Sequence, residues 1–525
     1  MLFNDHDLRQ IDDAYVESLS IDELREVIKR LVKDLKEARD RLNQNSGNSS
    51  RPPSSEDPWV TAKFKDPDED SDNPEDTIET DKNDSIDNGE SESESEDRKE
   101  PAKEDTDAKP TRKPGKQKGA KGCGRTEYPP ITATVVHKAE ECAACGRKSD
   151  DKSEFVGRTG HYEIDIEVGN EKDAGIRVTN TKHIYGDTTC PCGHVTQTKP
   201  QRCEKESDWD VELTEWHLVG PMLMSFICFL FCRMKMSRPR IRELLIEWLH
   251  LPLSVGTINQ CIHEAGRAGA PVVDQQLVEE VKNSGLLNVD ETSWKEKIVS
   301  LWLWVFCTQT VVLYIIGKRS LKTIEAILGS SFAGWLMSDG YRVYRIYKNR
   351  LRCWAHLLRK AQGLYESLDK EAQVFGKQAL GILNTLMEAI YKARERPGED
   401  LVKKYKEVLD EFKALCEKYR DSMHEKTRAL AVEFLNDWDA IFCVLAHPEL
   451  PLTNNEAERA LRHWVILRKF CYGTRTQQGS RAFTVLASII DTCRKRNISP
   501  WNYLARVISE RRKGNAAPPI PAASY

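Results

Sequence analysis

No stretch of this chain stays apolar long enough to cross a bilayer. The longest run, Leu218 to Cys232, stops short of Arg233 and Lys235, and a spanning helix needs roughly 20 such residues. A buried helix is expected there, and no membrane partner. The start, Met1-Leu2-Phe3-Asn4-Asp5-His6-Asp7, has no basic segment leading into an apolar core, so a secretory signal is not expected. In a chain that is not exported, the fifteen cysteines are expected as reduced thiols or metal ligands in the cytoplasm, not as disulfides. Excess positive charge is missing as well. The net charge of −5, taken alone, argues against a polyanionic partner.

That average hides a segregation of charge. Residues 66–108 hold 20 acidic and 4 basic side chains, which leaves 74 basic against 63 acidic in the remainder. The chain reads as a basic protein carrying an acidic insert. At 525 residues it is too long for one core, so several domains are expected. The 31% of charged residues implies that part of it does not pack.

Taken in order, Ile21, Leu24, Ile28, Leu31, Leu35, Ala38 and Leu42 alternate spacings of three and four. This is an apolar seam on an otherwise charged helix, expected to dimerise as a coiled coil within residues 1–45. A disordered linker is expected over 46–128, acidic over 66–108 and basic over 109–125. Residues 129–206 read as a small β-ribbon. Cys142-Ala143-Ala144-Cys145 is a knuckle with zinc-thiolate spacing, and Cys190-Pro191-Cys192-Gly193-His194 closes the site, with His194 or Cys203 as substitutes for a ligand. Residues 210–280 read as helical. There, Pro239 to Leu245, a short turn and Ser254 capping a second helix suggest a helix-turn-helix-like unit.

From Gly285 the pattern is strand (through Trp294), strand (Leu301 to Cys307), strand (Val311 to Ile316), helix (Leu321 to Leu328) and strand (Gly334 to Met337). Three consecutive strands with short turns should be antiparallel, and the fourth should return through the helix. That is the order of a ribonuclease-H-like core, expected over 281–358 and 451–513 and interrupted by a helical insertion over 359–450. The last residues, 514–525, read as a disordered tail. The expected fold class is therefore multidomain α+β. Asp290 and Asp339 each end an apolar run, and a carboxylate so placed is costly unless a cation meets it. With Glu458, on a strongly helical stretch, they make an all-oxygen ligand set suited to Mg2+ or Mn2+. Glu291, next to Asp290 on the strand, should face the other way. Arg468, Lys469, Arg475 and Arg481 supply cations for a polyanion.

Four motifs then occur in one order: Asp290-Glu291-Thr292, Ser338-Asp339-Gly340-Tyr341, Cys353-Trp354-Ala355-His356 and Asn454-Asn455-x-x-Glu458-Arg459. In this the chain resembles insertion-sequence-66 family transposases, from about Met1 to Leu504. The resemblance implies a DDE transposase in which two divalent metals, held by Asp290, Asp339 and Glu458, drive DNA cleavage and strand transfer. His356, Arg459 and Arg462 would support the phosphate. Double-stranded DNA, a homo-oligomer and small accessory proteins would be its partners, at a bacterial nucleoid. The family's second cysteine pair is usually Cys-x-x-Cys, so the Cys-x-Cys here leaves the fourth zinc ligand open. Two rivals stand beside this reading. One is a nuclease of the same fold that cuts without joining, and the other is a DNA-binding regulator with no catalysis.

Overall fold

The structure is a computed structural model and describes residues 13–44, 48, 129–150, 153–170, 172–199 and 217–523. The expected acidic and basic linker and Cys203 lie outside the described residues. Among those described, the chain is mixed α/β, and no helix is long and apolar enough to cross a membrane.

Helix α1 (Ile21–Leu42) starts on a capping box, Ser20 accepting from the Glu23 amide while Glu23 accepts from the Ser20 amide. None of its residues is buried, and on the expected seam Leu35 is 68% and Leu42 83% exposed. Its C-terminal turn is nevertheless held. Asp40 accepts from Ser367 Oγ and the Leu368 amide, and Asn48 donates to Glu366 Oε2 at 2.7 Å.

The first sheet is built on a long hairpin of β2 (Glu154–Asn170) and β3 (Asp173–Thr189), with β1 (Ala133–His137) parallel to β3. β4 (Val195–Gln197) and β5 (His217–Val219) complete it. Most of β1 is exposed, and few side chains of the ribbon are fully buried. On one face His137, His161, His183 and Tyr185 stack, with His137 Nε2 2.9 Å from His183 Nδ1. Burial, then the neighbouring His183 and His137, pushes His161 down to about 4, so the ring is neutral when folded. An unfolded histidine takes its proton near pH 6.5. The unfolded ribbon therefore binds the extra proton first, and stability must fall as pH drops from about 6.5 toward 4. Thermal melting should show the ribbon weakening over that window, and His161→Phe should flatten the dependence.

The ribbon is tied to the helices behind it. Asp165, on β2, accepts from the Leu223 and Met222 amides and so caps α2 (Pro221–Cys232), the long apolar run. Arg512 bridges Glu163 and Glu264. α3 (Arg238–Leu249) and α4 (Val255–Pro271) follow one another across a short turn, with Ser254 capping α4. One face of α4 is buried, because Gly266 and Gly269 lie against Ala482 and Ile489. Gly256, Gln260 and Arg267 remain exposed on the other face.

The second sheet contains β6 (Leu286–Glu296), β7 (Val299–Cys307), β8 (Val312–Gly317), β9 (Trp335–Ser338) and β10 (Arg350–Arg352), in the order β10-β9-β6-β7-β8. The first three strands pair antiparallel, as the short turns require. β9 returns through α5 (Leu321–Leu328) to pair parallel with β6, and β10 adds parallel beyond it. After β10 come α6 (Trp354–Tyr365), α7 (Lys370–Glu395), α8 (Lys406–Tyr419) and α9 (Glu425–Asn436), which share a core of Phe375, Leu383, Phe412 and Phe434. α10 (Asn455–Cys471) and α11 (Gln477–Lys495) then pack on the sheet, and α12 (Pro500–Arg512) packs on α2, α4 and α11.

The end of the chain departs from expectation. Residues 514–523 are irregular yet packed. Ile520 is buried, Arg496 donates to the Ile520 and Pro521 carbonyls, and Tyr503 OH donates to the Pro518 carbonyl. A Pro/Ala composition hides this because the binding comes from Arg496, Gln276 and Tyr503 elsewhere in the chain.

Candidate active site and metal centre

β6 and β9 pair with Asn288 opposite Met337. Carried two residues further, that register brings Asp290, inside β6, opposite Asp339, just past the end of β9, close enough for the two carboxylates to repel. Glu458 joins them from the first turn of α10, and its placement depends on Asn454. The buried Asn454 donates to the Val289 carbonyl at 2.9 Å and accepts from Asn288 at 3.1 Å, while its amide donates to Cys353 Sγ. The Trp354 amide donates to the Leu452 carbonyl at 2.8 Å. Two motifs a hundred residues apart thus lock onto the strand that carries Asp290.

The electrostatics fit a cation. Burial, then Asp339, Glu291 and Glu458, push the Asp290 carboxyl well above the usual range. Among the described residues no Lys or Arg pairs with Asp290 or Asp339. Their bonds are local, from the Glu291 amide to Asp290 and from the Tyr341 amide to Asp339. Glu291 turns to different partners. It accepts from Arg319 at 2.8 Å and from Tyr344 OH at 2.7 Å, but burial and Asp339 still raise it. Clustered acids without a cation are what a hard divalent ion offsets.

Cys353, His356 and Glu458 place one ligand atom each within 4.8 Å of one another. His356 Nδ1 lies 3.8 Å from Glu458 and Arg359 Nη2 3.9 Å from it. Burial, then Arg359 and Lys360, push His356 down to about 3, so its ring is neutral. Beneath Asp339, Arg352 is fully buried between Asp437 and Glu433, and a Cβ on Gly340 would lie 2.8 Å from Arg352 Nη2. Burial alone would push Asp437 up. The hydrogen bond from Arg345, with the charges of Arg352 and Arg350, holds it below the usual carboxylate range. Losing one partner of such a buried set costs about 3–5 kcal/mol. The helical insertion is therefore part of the support under Asp339.

The other expected site residues are dispersed. Arg459 points outward, 4.0 Å from Glu456, and Arg462 is exposed. Arg468 donates to Thr292 and Ser293, and Arg481 pairs with Asp274. Lys469 and Arg475 are exposed. Sequence reasoning missed Arg352, Glu433, Asp437 and Arg359. Only Asn454 left a signal, inside its motif.

In the ribbon, Cys142, Cys145, Cys190 and Cys192 bring four sulfurs within 4.8 Å of one another. Cys142 Sγ to Cys192 Sγ and Cys145 Sγ to Cys190 Sγ are each 3.7 Å. Thiolates about 2.3 Å from a tetrahedral ion lie about 3.8 Å apart, so this group can hold a metal. Amide N–H groups of Cys145 and Ala144 push the Cys142 thiol down to about 6. The Cys192 amide pulls the Cys190 thiol the same way, but burial and the three neighbouring thiols drive it up to about 12. Four thiolates ionise together only around a cation. His194 is exposed and meets the group only through its carbonyl, which accepts from the Cys190 amide. The shortened spacing of the second pair does not displace Cys192.

A family profile described as Transposase IS66 family matches residues 217–482, half of the chain. The chain belongs to this family. A second profile, described as a family of unknown function, matches residues 5–85. Relatives in Sinorhizobium fredii (strain NBRC 101917 / NGR234) include "Uncharacterized protein y4qI", 24% identical over 47% of this chain and 51% of its own length. "Uncharacterized protein y4jO" is 24% identical over 41% and 64%, and "Uncharacterized protein y4jD" 25% over 44% and 49%. The chain spans about half of the length of two of these relatives and less than two-thirds of the third. The transposase family profile covers β5 through the first turns of α11, and so Asp290, Asp339, Glu458 and the insertion between them.

Proposed function

We propose that the chain cuts DNA at the ends of an insertion sequence and joins them to a target. Asp290, Asp339 and Glu458 would hold Mg2+ or Mn2+. The observation that carries this is the clustering of Asp290 on β6 with Asp339 just past the end of the paired strand β9, and with Glu458 on the helix that Asn454 ties to β6. The order β8-β7-β6-β9-β10, three antiparallel strands then two parallel, supports a ribonuclease-H-like core. Divalent cations, when bound, activate the attacking oxygen and stabilise the leaving one. The chain's own residues do the rest. Asn454 orients α10, Arg352 supports the Asp339 turn, and neutral His356 with Arg359 keeps Glu458 in place. Zinc is the metal that suits the four cysteines, in a structural role. The exposed seam of α1 suits self-association, and the outer stripe of α4 suits DNA.

The test is incubation with linear DNA bearing the element's ends, a supercoiled target and Mg2+. Joined products are expected. Nicking without joining would favour a nuclease, and DNA binding with no cleavage in either metal a regulator.

A further inference from the structure

The loop between α10 and α11 carries two rings that packing does not use. Phe470 is 70% exposed and Tyr472 81%, and Ile298, in the adjoining β6–β7 turn, is 87% exposed. The loop is firmly held. The Thr474 amide donates to the Lys295 carbonyl at 2.9 Å, the Lys297 amide to the Thr474 carbonyl at 2.7 Å, and Trp294 Nε1 to Thr474 Oγ1 at 3.1 Å. Below it, Trp294 stacks on Phe483 at 4.8 Å, and Phe483 meets Trp464 edge-on. Tyr472 ends α10 at φ +56°, in the left-handed region where helices usually place glycine. An L residue is strained there, its Cβ crowding the following carbonyl oxygen. At Gly473, φ +105°, a Cβ would lie 2.1 Å from the Lys295 carbonyl oxygen. A large ring thus stands in water at a position that glycine would fill more cheaply.

Charge indicates what covers it. From Arg459 to Ile490 there are six Lys or Arg and no Asp or Glu, and from Lys297 to Ile324 four and none. Arg468 and Arg481 are turned to partners in the chain, but Lys295, Lys297 and Arg475 are exposed about the rings. The one acid in that turn, Glu296, is half-buried and accepts from Ser480 Oγ, so the cations and free rings that face solvent match a polyanion that has ring faces to offer. A blunt duplex keeps its base faces inside the stack, whereas unpaired nucleotides expose them.

We propose that Phe470, Tyr472 and the Lys295–Ile298 turn form a binding surface for unpaired DNA nucleotides. It lies roughly 20 Å along β6 from Asp290, at about 3.3 Å per residue. The inference rests on the DNA reading above, and its test avoids catalysis. Full-length protein without divalent cation is titrated into a labelled 20-nucleotide single strand and a blunt 20-base-pair duplex. Phe470→Ala/Tyr472→Ala should lose at least about tenfold for the single strand, since each base stacked on a ring contributes about 1–3 kcal/mol, and little for the duplex. Tyr472→Phe should bind like the parent. Lys297→Gln should weaken both DNAs and lower the salt slope by about one. Single-strand binding unchanged in the double alanine variant overturns the proposal, as does an equal loss for both DNAs. A change in sedimenting mass with unchanged single-strand affinity assigns the surface to a second copy and also overturns it. Failure of the parent to bind either DNA overturns it together with the DNA reading.

Discussion

Alanine at Asp290, Asp339 or Glu458 should reduce cleavage and joining by on the order of a thousandfold or more, with duplex binding retained. Metal-held charge supplies several kcal/mol of transition-state stabilisation, and each 1.4 kcal/mol is tenfold in rate. The three should fail alike, because each removes an oxygen from one cluster. Stability should move the other way. Asp290 and Asp339 stand close without a cationic side chain among the described residues, so Asp290→Ala relieves repulsion in metal-free protein. That variant should melt no lower than the parent and should lose the rise in melting temperature that Mg2+ gives the parent. Glu456, two residues before Glu458 but paired with Lys495, is the control, and Glu456→Gln should keep activity. Near-parental cleavage by Asp339→Ala would show that another group does the work.

Loss of one ribbon cysteine should be equally severe for that sheet. Purified protein should contain about one zinc per chain, and Cys142→Ser or Cys192→Ser should lose it. The ribbon exposes most of β1 and buries few side chains completely, whereas apparent zinc affinities of structural sites reach about 10–16 kcal/mol. Without the ion, the part from Pro129 to Gln197 should become sensitive to protease while the larger helical and sheet core resists. Chelation should reproduce this, and added zinc reverse it. His194→Ala should keep the metal, since only its main chain touches the site. Zinc retained by Cys192→Ser, or absent from protein purified without chelator, would refute the four-cysteine set.

Much of the second sheet was legible in local pattern. The four strands and α5 follow from short apolar runs between polar punctuation, and short turns made the first three antiparallel. Asp290 and Asp339 were legible as apolar runs ending in a carboxylate, and Glu458 as an acid on a helical stretch. The packed C-terminal segment was not, because Ile520 depends on Arg496 and Gln276 for its hydrogen bonds. Nor was the fate of the arginines. Counting cations on α10 and α11 treats Arg468 and Arg481 as free, while Ser293 and Asp274 were waiting for them on other elements.

By itself the sequence determined where most helices and strands of the second sheet lie, which acids and cysteines are candidate ligands, and which family the motifs belong to. These depend on periodicities of two and 3.6 residues and on spacings within a few positions. Tertiary structure alone decided that Asp290 stands opposite Asp339, that Asn454 pins Glu458 beside them, and that Arg352 ties the insertion to the Asp339 turn through Glu433 and Asp437. It also decided that Cys192 completes the metal group despite its shortened spacing. The physical reason is one of range. An ion pair or a ligand set needs atoms within about 4 Å, and here its members come from segments 50 to 170 residues apart. Only the docking of whole elements brings them together.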